Sequence, residues 1–416
     1  MTATAENPAT TVDLFAPDLI ADPFAAYARM REQAPVLTGS MMGGPPMWLV
    51  TRYDDVRRVL TDPLFLNNPA SVPAGRAGSR FTVMKGVSSD VVDYLAGKLI
   101  EIDGDDHRRL RRLVSRAFTA RRVAALRPRV EEITATLLDR MAEAGRDGTP
   151  VDLVESFCFE LPATVICELV GIDEADRADW YRWGRALMVP TEHAEQLPAV
   201  FRECADHLLA VIASRRAEPR DDLISALVQV QEEDGDRLTD REMVKLVFSL
   251  VLAGHETTMH LIGNSVLALL EHPEQLALLR EDPSRWPHAV QELMRLGPTQ
   301  FGNPRYPAED VELGGVAIPA GAPVLPLILS ANTDPRRFGC PERLDVGREM
   351  GTGHLGFGQG AHYCLGAPLA LQEAEVALHA LFTRFPDLSL AVAREEVPWV
   401  LRTGFTAAAA IPLRLG

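Results

Sequence analysis

The chain has 416 residues, 47% of them hydrophobic and 24% charged, and a formal net charge of −16. This is the composition of a globular protein with a large core, and its acidic balance excludes general affinity for nucleic acid, whose phosphates it would repel. Five cysteines (Cys158, Cys167, Cys204, Cys340 and Cys364) are an odd number spread along a long chain; they exclude a disulfide framework and suit a reducing compartment.

Residues 1–12, rich in Thr and Ala, are expected to be disordered and lack the basic and apolar stretches of a signal peptide. A helix is predicted over Pro23–Gln33, a hairpin over Val36–Arg52 turning at Gly43-Gly44-Pro45-Pro46, a short helix over Asp54–Thr61 and a loop over Asn67–Ser89. From Asp106 onward helices dominate, with breaks near 145–150, 171, 190, 219, 235 and 273. Thr239-Asp240-Arg241-Glu242 is a capping box. It opens a helix predicted to reach Leu270, about 46 Å at 1.5 Å per residue. Val311–Leu329 reads as strands with turns, Gly366–Phe385 as the last helix and Leu388–Leu415 as strand. No repeat or linker divides the chain, so residues 13–416 read as a single domain, mainly α with small β-sheets. The longest apolar run, Leu246–Gly254, is too short to span a bilayer. A cytoplasmic, monomeric protein with no membrane contact is expected.

The most informative stretch is Phe357-Gly358-Gln359-Gly360-Ala361-His362-Tyr363-Cys364-Leu365-Gly366. A lone cysteine is ordinarily a buried thiol. Here it stands in a Gly-rich loop directly before an apolar helix, where free N–H groups and the helix dipole stabilise a thiolate able to hold a soft metal. Gly358, Gly360 and Gly366 let the backbone approach something large and flat. A second signal lies in the long helix. Val244–Ala253 is apolar on nearly every side and should be buried, yet Ala253-Gly254-His255-Glu256-Thr257-Thr258 follows at once. Unpaired buried polar groups cost about 1–3 kcal/mol each and a helical glycine about 1 kcal/mol. Packing alone does not account for such a block; a partly solvated face or a kink is the plain alternative. Glu292 and Arg295, three residues apart, share a helix face and can pair. Nine arginines between Arg108 and Arg129 form either a solvated face or a surface that meets anions.

In this order the motifs closely resemble those of the cytochromes P-450, and the similarity runs from about Pro23 to the C-terminus. The Leu-Ala-Gly-His-Glu-Thr-Thr block, the Glu309–Leu313 strand and the Cys364–Ala370 helix start are most similar to soluble actinobacterial members that tailor macrolides and other polyketides. The resemblance implies the triangular single-domain fold of that family, with haem b as cofactor and Cys364 as the axial thiolate whose electron donation favours O–O cleavage. By the same resemblance Phe357, Gly358 and Gly366 belong to the haem loop, and His107, Arg111, Arg305 and His362 hold the propionates. Ala253 and Gly254 leave room for O₂, and Glu256 and Thr257 relay protons. Glu292, Arg295 and Arg343 form a buried structural set. Leu250, Ala253, Thr299, Gln300 and Thr403 line the substrate pocket, within walls expected at 67–98, 191–201, 250–257, 298–303 and 400–405.

The activity so implied is insertion of one oxygen atom of O₂ into a lipophilic small molecule, by hydroxylation or epoxidation of a polyketide-type metabolite. With no reductase domain in these 416 residues, NAD(P)H electrons are expected through a reductase and an acidic ferredoxin, with Arg109, Arg112 and Arg116 as candidate docking residues. Rival readings are a peroxide-driven or oxidative-coupling haem-thiolate enzyme, and a non-catalytic haem-binding sensor. The intact Glu256-Thr257 pair disfavours both. Two departures from the family pattern stand out. Pro304 and Pro307 flank Arg305, which should reshape the wall at Thr299–Asn303, and Thr333 stands where an arginine is frequent.

Overall fold

The computed structural model describes residues 11–41, 43–72, 98–188, 195–230, 237–297, 299–350, 353–402 and 404–416. Disorder was expected over residues 1–12; residues 1–10 lie outside this set, as do most of the 67–98 loop, residues 191–194, Pro298 and Thr403, whereas Thr11 and Val12 are ordered in the strand Thr11–Asp13 by pairing with Thr38 and Gly39. The chain forms two compact units, each assembled from separated stretches. The first takes its residues from 1–78, 261–364 and 389–413, the second from 79–260, 365–388 and 414–416.

The first unit contains a four-stranded sheet. Thr11–Asp13 runs parallel to Val36–Ser40, which pairs antiparallel with Met47–Val50, which in turn runs parallel to Val324–Pro326. The hairpin is in the predicted place, with Val36 opposite Val50 and Leu37 opposite Leu49. The helix Pro23–Gln33 also has the predicted bounds. Its start follows from Asp22, whose carboxylate accepts from the Ala25 amide at 3.0 Å, with Pro23 in the first turn. Leu14, Tyr27, Leu37, Leu49, Leu325 and Leu327 pack in one apolar cluster, each fully or almost fully buried. Val311–Leu313 and Val316–Ile318 form the hairpin expected from the Gly314-Gly315 turn.

The second unit is helical. The expected run after Asp106 is three helices, Gly104–Ala117, Ala120–Ala125 and Arg127–Ala144. The two breaks had local signals: Thr119 caps the middle helix by accepting from the Arg122 amide, and Pro128 occupies the first turn of the third. Arg127–Ala144 packs against Glu160–Val170 and against Ala367–Arg384. The longest helix, Asp240–Glu271, of which residues 240–260 belong to this unit, begins at the predicted capping box. The Thr239 amide donates to Glu242 Oε2 at 2.8 Å and the Glu242 amide to Thr239 Oγ1 at 3.2 Å. Among the described residues it alone is long and apolar enough to cross a membrane, but 61% of that window is buried in the protein, as befits a core helix. Its burial stops short of the prediction: Val244, Val247, Phe248 and Val251 are buried, whereas Ala253 is exposed.

Candidate active site

Cys364 is exposed at the end of the glycine-bearing loop, and its amide donates to the Phe357 carbonyl at 2.9 Å. That bond closes the loop, which can turn so tightly because Gly358 and Gly360 sit at φ 70° and 75°. A side chain at Gly360 would come within 2.9 Å of the Leu60 carbonyl oxygen, so this glycine also lets the loop lie against the helix Tyr53–Thr61. Phe357 is half-buried, its ring 6.4 Å from that of Tyr363 and 5.7 Å from that of His354. The helix that follows begins at Ala367, with Gly366 as its cap residue.

His354 was not singled out from the sequence, and the surrounding Gly353-His354-Leu355-Gly356 gives no hint of its bonding. Its Nδ1 accepts from the Gly356 amide at 3.0 Å, and its Nε2–H donates to Gln291 Oε1 at 3.0 Å. Burial, with Arg295 nearby, lowers its pKa to about 4, so the ring is neutral and fixed in one tautomer.

Behind the loop lies the Glu292–Arg295 pair, with both side chains 0% exposed. Glu292 accepts from Arg295 at 2.7 and 2.8 Å, from Arg348 Nε at 2.9 Å and from the Asp345 amide at 3.1 Å. The sequence reading placed Arg343 in this set. The structure corrects it: the second guanidinium is that of Arg348, while Arg343 is exposed and offers only its carbonyl, to Arg295 and Arg348. Arg348 follows the tight turn closed by its amide on the Asp345 carbonyl, which brings it back to Glu292. Asn332, also not foreseen, carries the connection to the loop: its amide nitrogen donates to the Arg295 carbonyl and its oxygen accepts from Leu355 at 2.7 Å. Thr333, which stands where an arginine is frequent in the family, accepts from the buried Arg31 at 2.9 Å.

Arg305 is 4% exposed and held by two backbone bonds to Val324, at 2.7 and 2.8 Å. His362 lies with Nε2 2.8 Å from Asn67 Nδ2, so that nitrogen accepts. Thr299 bridges to Phe405 and the Gln300 amide donates to the Gly404 carbonyl, which ties the expected pocket wall to the strand segment beyond Thr403. Gln300 is buried, and its side-chain oxygen has no partner in the protein.

In the second unit, His107 is buried one helical turn before Arg111. Burial, reinforced by the Arg111 charge, holds its imidazole below the usual range. On the long helix Ala253 is exposed and Leu250, Glu256 and Thr257 are half-exposed, while His255 and Thr258 are buried. The Thr257 hydroxyl donates to the Ala253 carbonyl at 2.7 Å and that of Thr258 to the Gly254 carbonyl at 3.0 Å, two back-bonds that loosen a helix locally. Glu256 Oε1 is 3.6 Å from His260 Nε2. Gly254 departs from expectation. A side chain there would meet Ile166 at 3.1 Å, so its smallness serves the packing of Glu160–Val170, and the exposed small residue is Ala253. Glu373, on the helix after the cysteine, is a further residue the sequence did not reveal; burial raises its pKa to about 8, so it is protonated at neutral pH.

Most of the arginines between 108 and 129 are engaged within the protein. Arg109 pairs with Glu242 at 2.6 Å, Arg127 with Glu375 at 2.7 Å and Arg129 with Glu168 at 2.8 Å. Of the candidate docking residues, Arg109 is thus partly buried in its pair, and Arg112 and Arg116 are exposed. Burial pushes the Cys158, Cys167 and Cys204 thiols up, Cys167 to about 12, so none of them is a thiolate at neutral pH.

The sequence pattern that defines cytochrome P-450 proteins matches residues 174–285 and 287–397. This chain is a member of the cytochrome P-450 family. The 6-deoxyerythronolide B hydroxylase of Saccharopolyspora erythraea is 44% identical over 391 residues, covering 94% of this chain and 95% of the relative. The cytochrome P-450 monooxygenase PikC of Streptomyces venezuelae is 41% identical over 414 residues, 99% of this chain and 95% of its own length. Among solved structures, the bacillaene polyketide synthase cytochrome P-450 PksS of Bacillus subtilis superposes with a TM-score of 0.85 at 36% identity, covering 96% of this chain and 98% of that one. The P-450 fold and the monooxygenase class follow.

Membership implies a haem, and the donor chemistry fits one. Among the described residues no group of three His, Cys, Asp or Glu side chains could hold a bare metal ion. Cys364 offers a single exposed sulfur on a glycine-turned loop. One thiolate is too few ligands for a bare ion, but it suits an iron whose other ligands a haem would supply.

Proposed function

We propose that this P-450 oxygenates a large, lipophilic, oxygen-bearing molecule of the polyketide or macrolide type, by hydroxylation or epoxidation. Support for the substrate class comes from the relatives' names and, within the first unit, from the polar groups at the expected wall, Thr299 and the buried, unpartnered Gln300 oxygen. In this reading one atom of O₂ enters the substrate and the other leaves as water, with two electrons and two protons. The haem, when bound, supplies dioxygen activation and oxygen transfer. Residues 13–416 constitute one haem domain, in which Cys364 is the iron's protein ligand and Phe357, Gly358 and Gly366 flank it. His107, Arg111, Arg305 and His362 receive the propionates, the two arginines as cations and the two imidazoles as N–H donors.

The observation that carries the catalytic reading is the half-exposed Glu256–Thr257 pair, interrupting a buried helix beside exposed Ala253. Thr257 already donates its proton to the Ala253 carbonyl, so its oxygen lone pairs are turned outward to accept from solvent or from a bound ligand. Glu256, near His260 and partly solvated, can pass a proton between water and that hydroxyl. Electrons arrive from an acidic ferredoxin and its reductase, docking where Arg112 and Arg116 are exposed. Thr257→Ala should keep the haem-thiolate spectrum and substrate binding while diverting reducing equivalents to hydrogen peroxide. Product formed per NAD(P)H consumed measures this, and a ratio equal to wild type would refute the role.

A further inference from the structure

A small cavity lies within the second unit, where the helices Glu160–Val170, Arg177–Met188 and Leu197–Ala217 meet the long helix. Most of its lining is apolar, including Phe159, Ile166 and Phe248. His255 is the exception. It is 3% exposed, its Nδ1 lies 3.2 Å from the Val251 carbonyl, and its Nε2 has no partner in the protein. A carbonyl only accepts, so the ring proton is on Nδ1 and Nε2 presents a bare lone pair. The missing side chain of Gly184 fixes where that edge points. A methyl group built there would sit 3.5 Å from His255 Cε1 and 3.6 Å from Nε2, and Gly184 lines the cavity.

The lining also holds a donor with nothing to donate to. Trp180 is 5% exposed and its indole N–H is without a partner. Of the other groups there, Cys167 and Cys204 are free thiols, which are only weak hydrogen-bonding groups; Trp183 donates to Glu203 at 2.8 Å, and Tyr181 shares a 2.7 Å bond with Thr164, whose own proton goes to the Glu160 carbonyl. One orphan acceptor and one orphan donor thus border one cavity, each costly to bury unsatisfied. The space open to the centre of a water molecule is about 20 Å³, enough for one water, which needs about 10–15 Å³, and not for two.

We propose that this cavity is a binding site for a single small neutral molecule that both accepts and donates a hydrogen bond, filled by water, which accepts from Trp180 Nε1 and donates to His255 Nε2. The molecule is a polar pin between the helix Arg177–Met188 and the turn of the long helix that carries Glu256. It depends on no step of the proton relay, and its test reads no turnover, so either idea can fail without the other.

The test is a high-resolution crystal structure of the haem-loaded protein, with a second crystal pressurised with xenon. An ordered water within about 3.2 Å of both nitrogens, with no xenon at the site, is the expected result. A xenon peak in the wild-type cavity, or an empty cavity, would overturn the proposal. His255→Leu removes the acceptor and should convert the cavity to one that admits xenon and holds no water. Should that variant not fold, Gly184→Ala provides the second arm: its methyl group should displace the water. Water bridging the two nitrogens as before in Gly184→Ala would also overturn the assignment.

Discussion

Two glutamates show opposite treatments of negative charge. Glu292 is 0% exposed and receives hydrogen bonds from two guanidiniums and one backbone amide. Glu256 is 29% exposed, on a helix face that also bears exposed Ala253, with His260 at 3.6 Å. A carboxylate with its lone pairs occupied by fixed donors holds one geometry and one charge. A partly solvated one can exchange hydrogen-bond partners with water. The first is a construction element behind the cysteine loop; the second is placed to do chemistry.

The sharpest way to break this comparison is to neutralise each in turn. Glu292→Gln leaves Arg295 and Arg348 without their counter-charge and should destabilise the protein by about 3–5 kcal/mol in denaturant unfolding, with loss of haem retention. Glu256→Gln should unfold within about 0.5 kcal/mol of wild type yet form product roughly 10²–10⁴-fold more slowly. Equal stability losses in the two variants would remove the distinction.

Acid provides the next test. His354 titrates at about 4 in the folded chain and near 6.5 when unfolded. The unfolded chain therefore binds the proton first. The stability this ring contributes is complete above pH 6.5 and is lost as pH falls toward 4, by roughly 2–3 kcal/mol. His354→Asn should flatten the slope in that window; an unchanged slope would place the acid sensitivity elsewhere.

A smaller effect separates the arginines around Glu292. Arg348→Ala removes a donor from a buried carboxylate and should cost about 1–3 kcal/mol, whereas Arg343→Ala, exposed and bonded only through its carbonyl, should stay within about 0.5 kcal/mol. The reverse order in thermal or denaturant melts would restore Arg343 to the set.

The faintest effect concerns charge left at the surface. Charge reversal at exposed Arg112 should slow reduction by ferredoxin several-fold and leave dithionite reduction unchanged. Added salt should mimic it as screening shortens to ~8 Å. Stopped-flow reduction rates that ignore both salt and Arg112→Glu would put the docking face elsewhere.

The elements legible in the sequence are those whose cause is local. The capping box at Thr239 joins residues three apart, the hairpin is set by alternation and a glycine turn, and the cysteine loop shows itself in its glycines and in the helix behind it. Periodicity and caps act over one turn, so they survive in a one-dimensional reading. Division into two units left no mark, because each unit is gathered from separated stretches with no linker between them.

Tertiary structure alone decided the partners. Arg109 pairs with a glutamate 133 residues away, and Arg348 reaches Glu292 across 56. Motif position had favoured Arg343, but side-chain direction at the turn from Asp345 to Arg348 chose its neighbour. Likewise, nothing along the chain indicates that Gly254 gives its space to Ile166, or that His255 and Trp180 border the same cavity. Which groups are satisfied, and which are left for water or a ligand, depends on what other helices bring to the same place. That is set by packing in three dimensions and not by the order of residues.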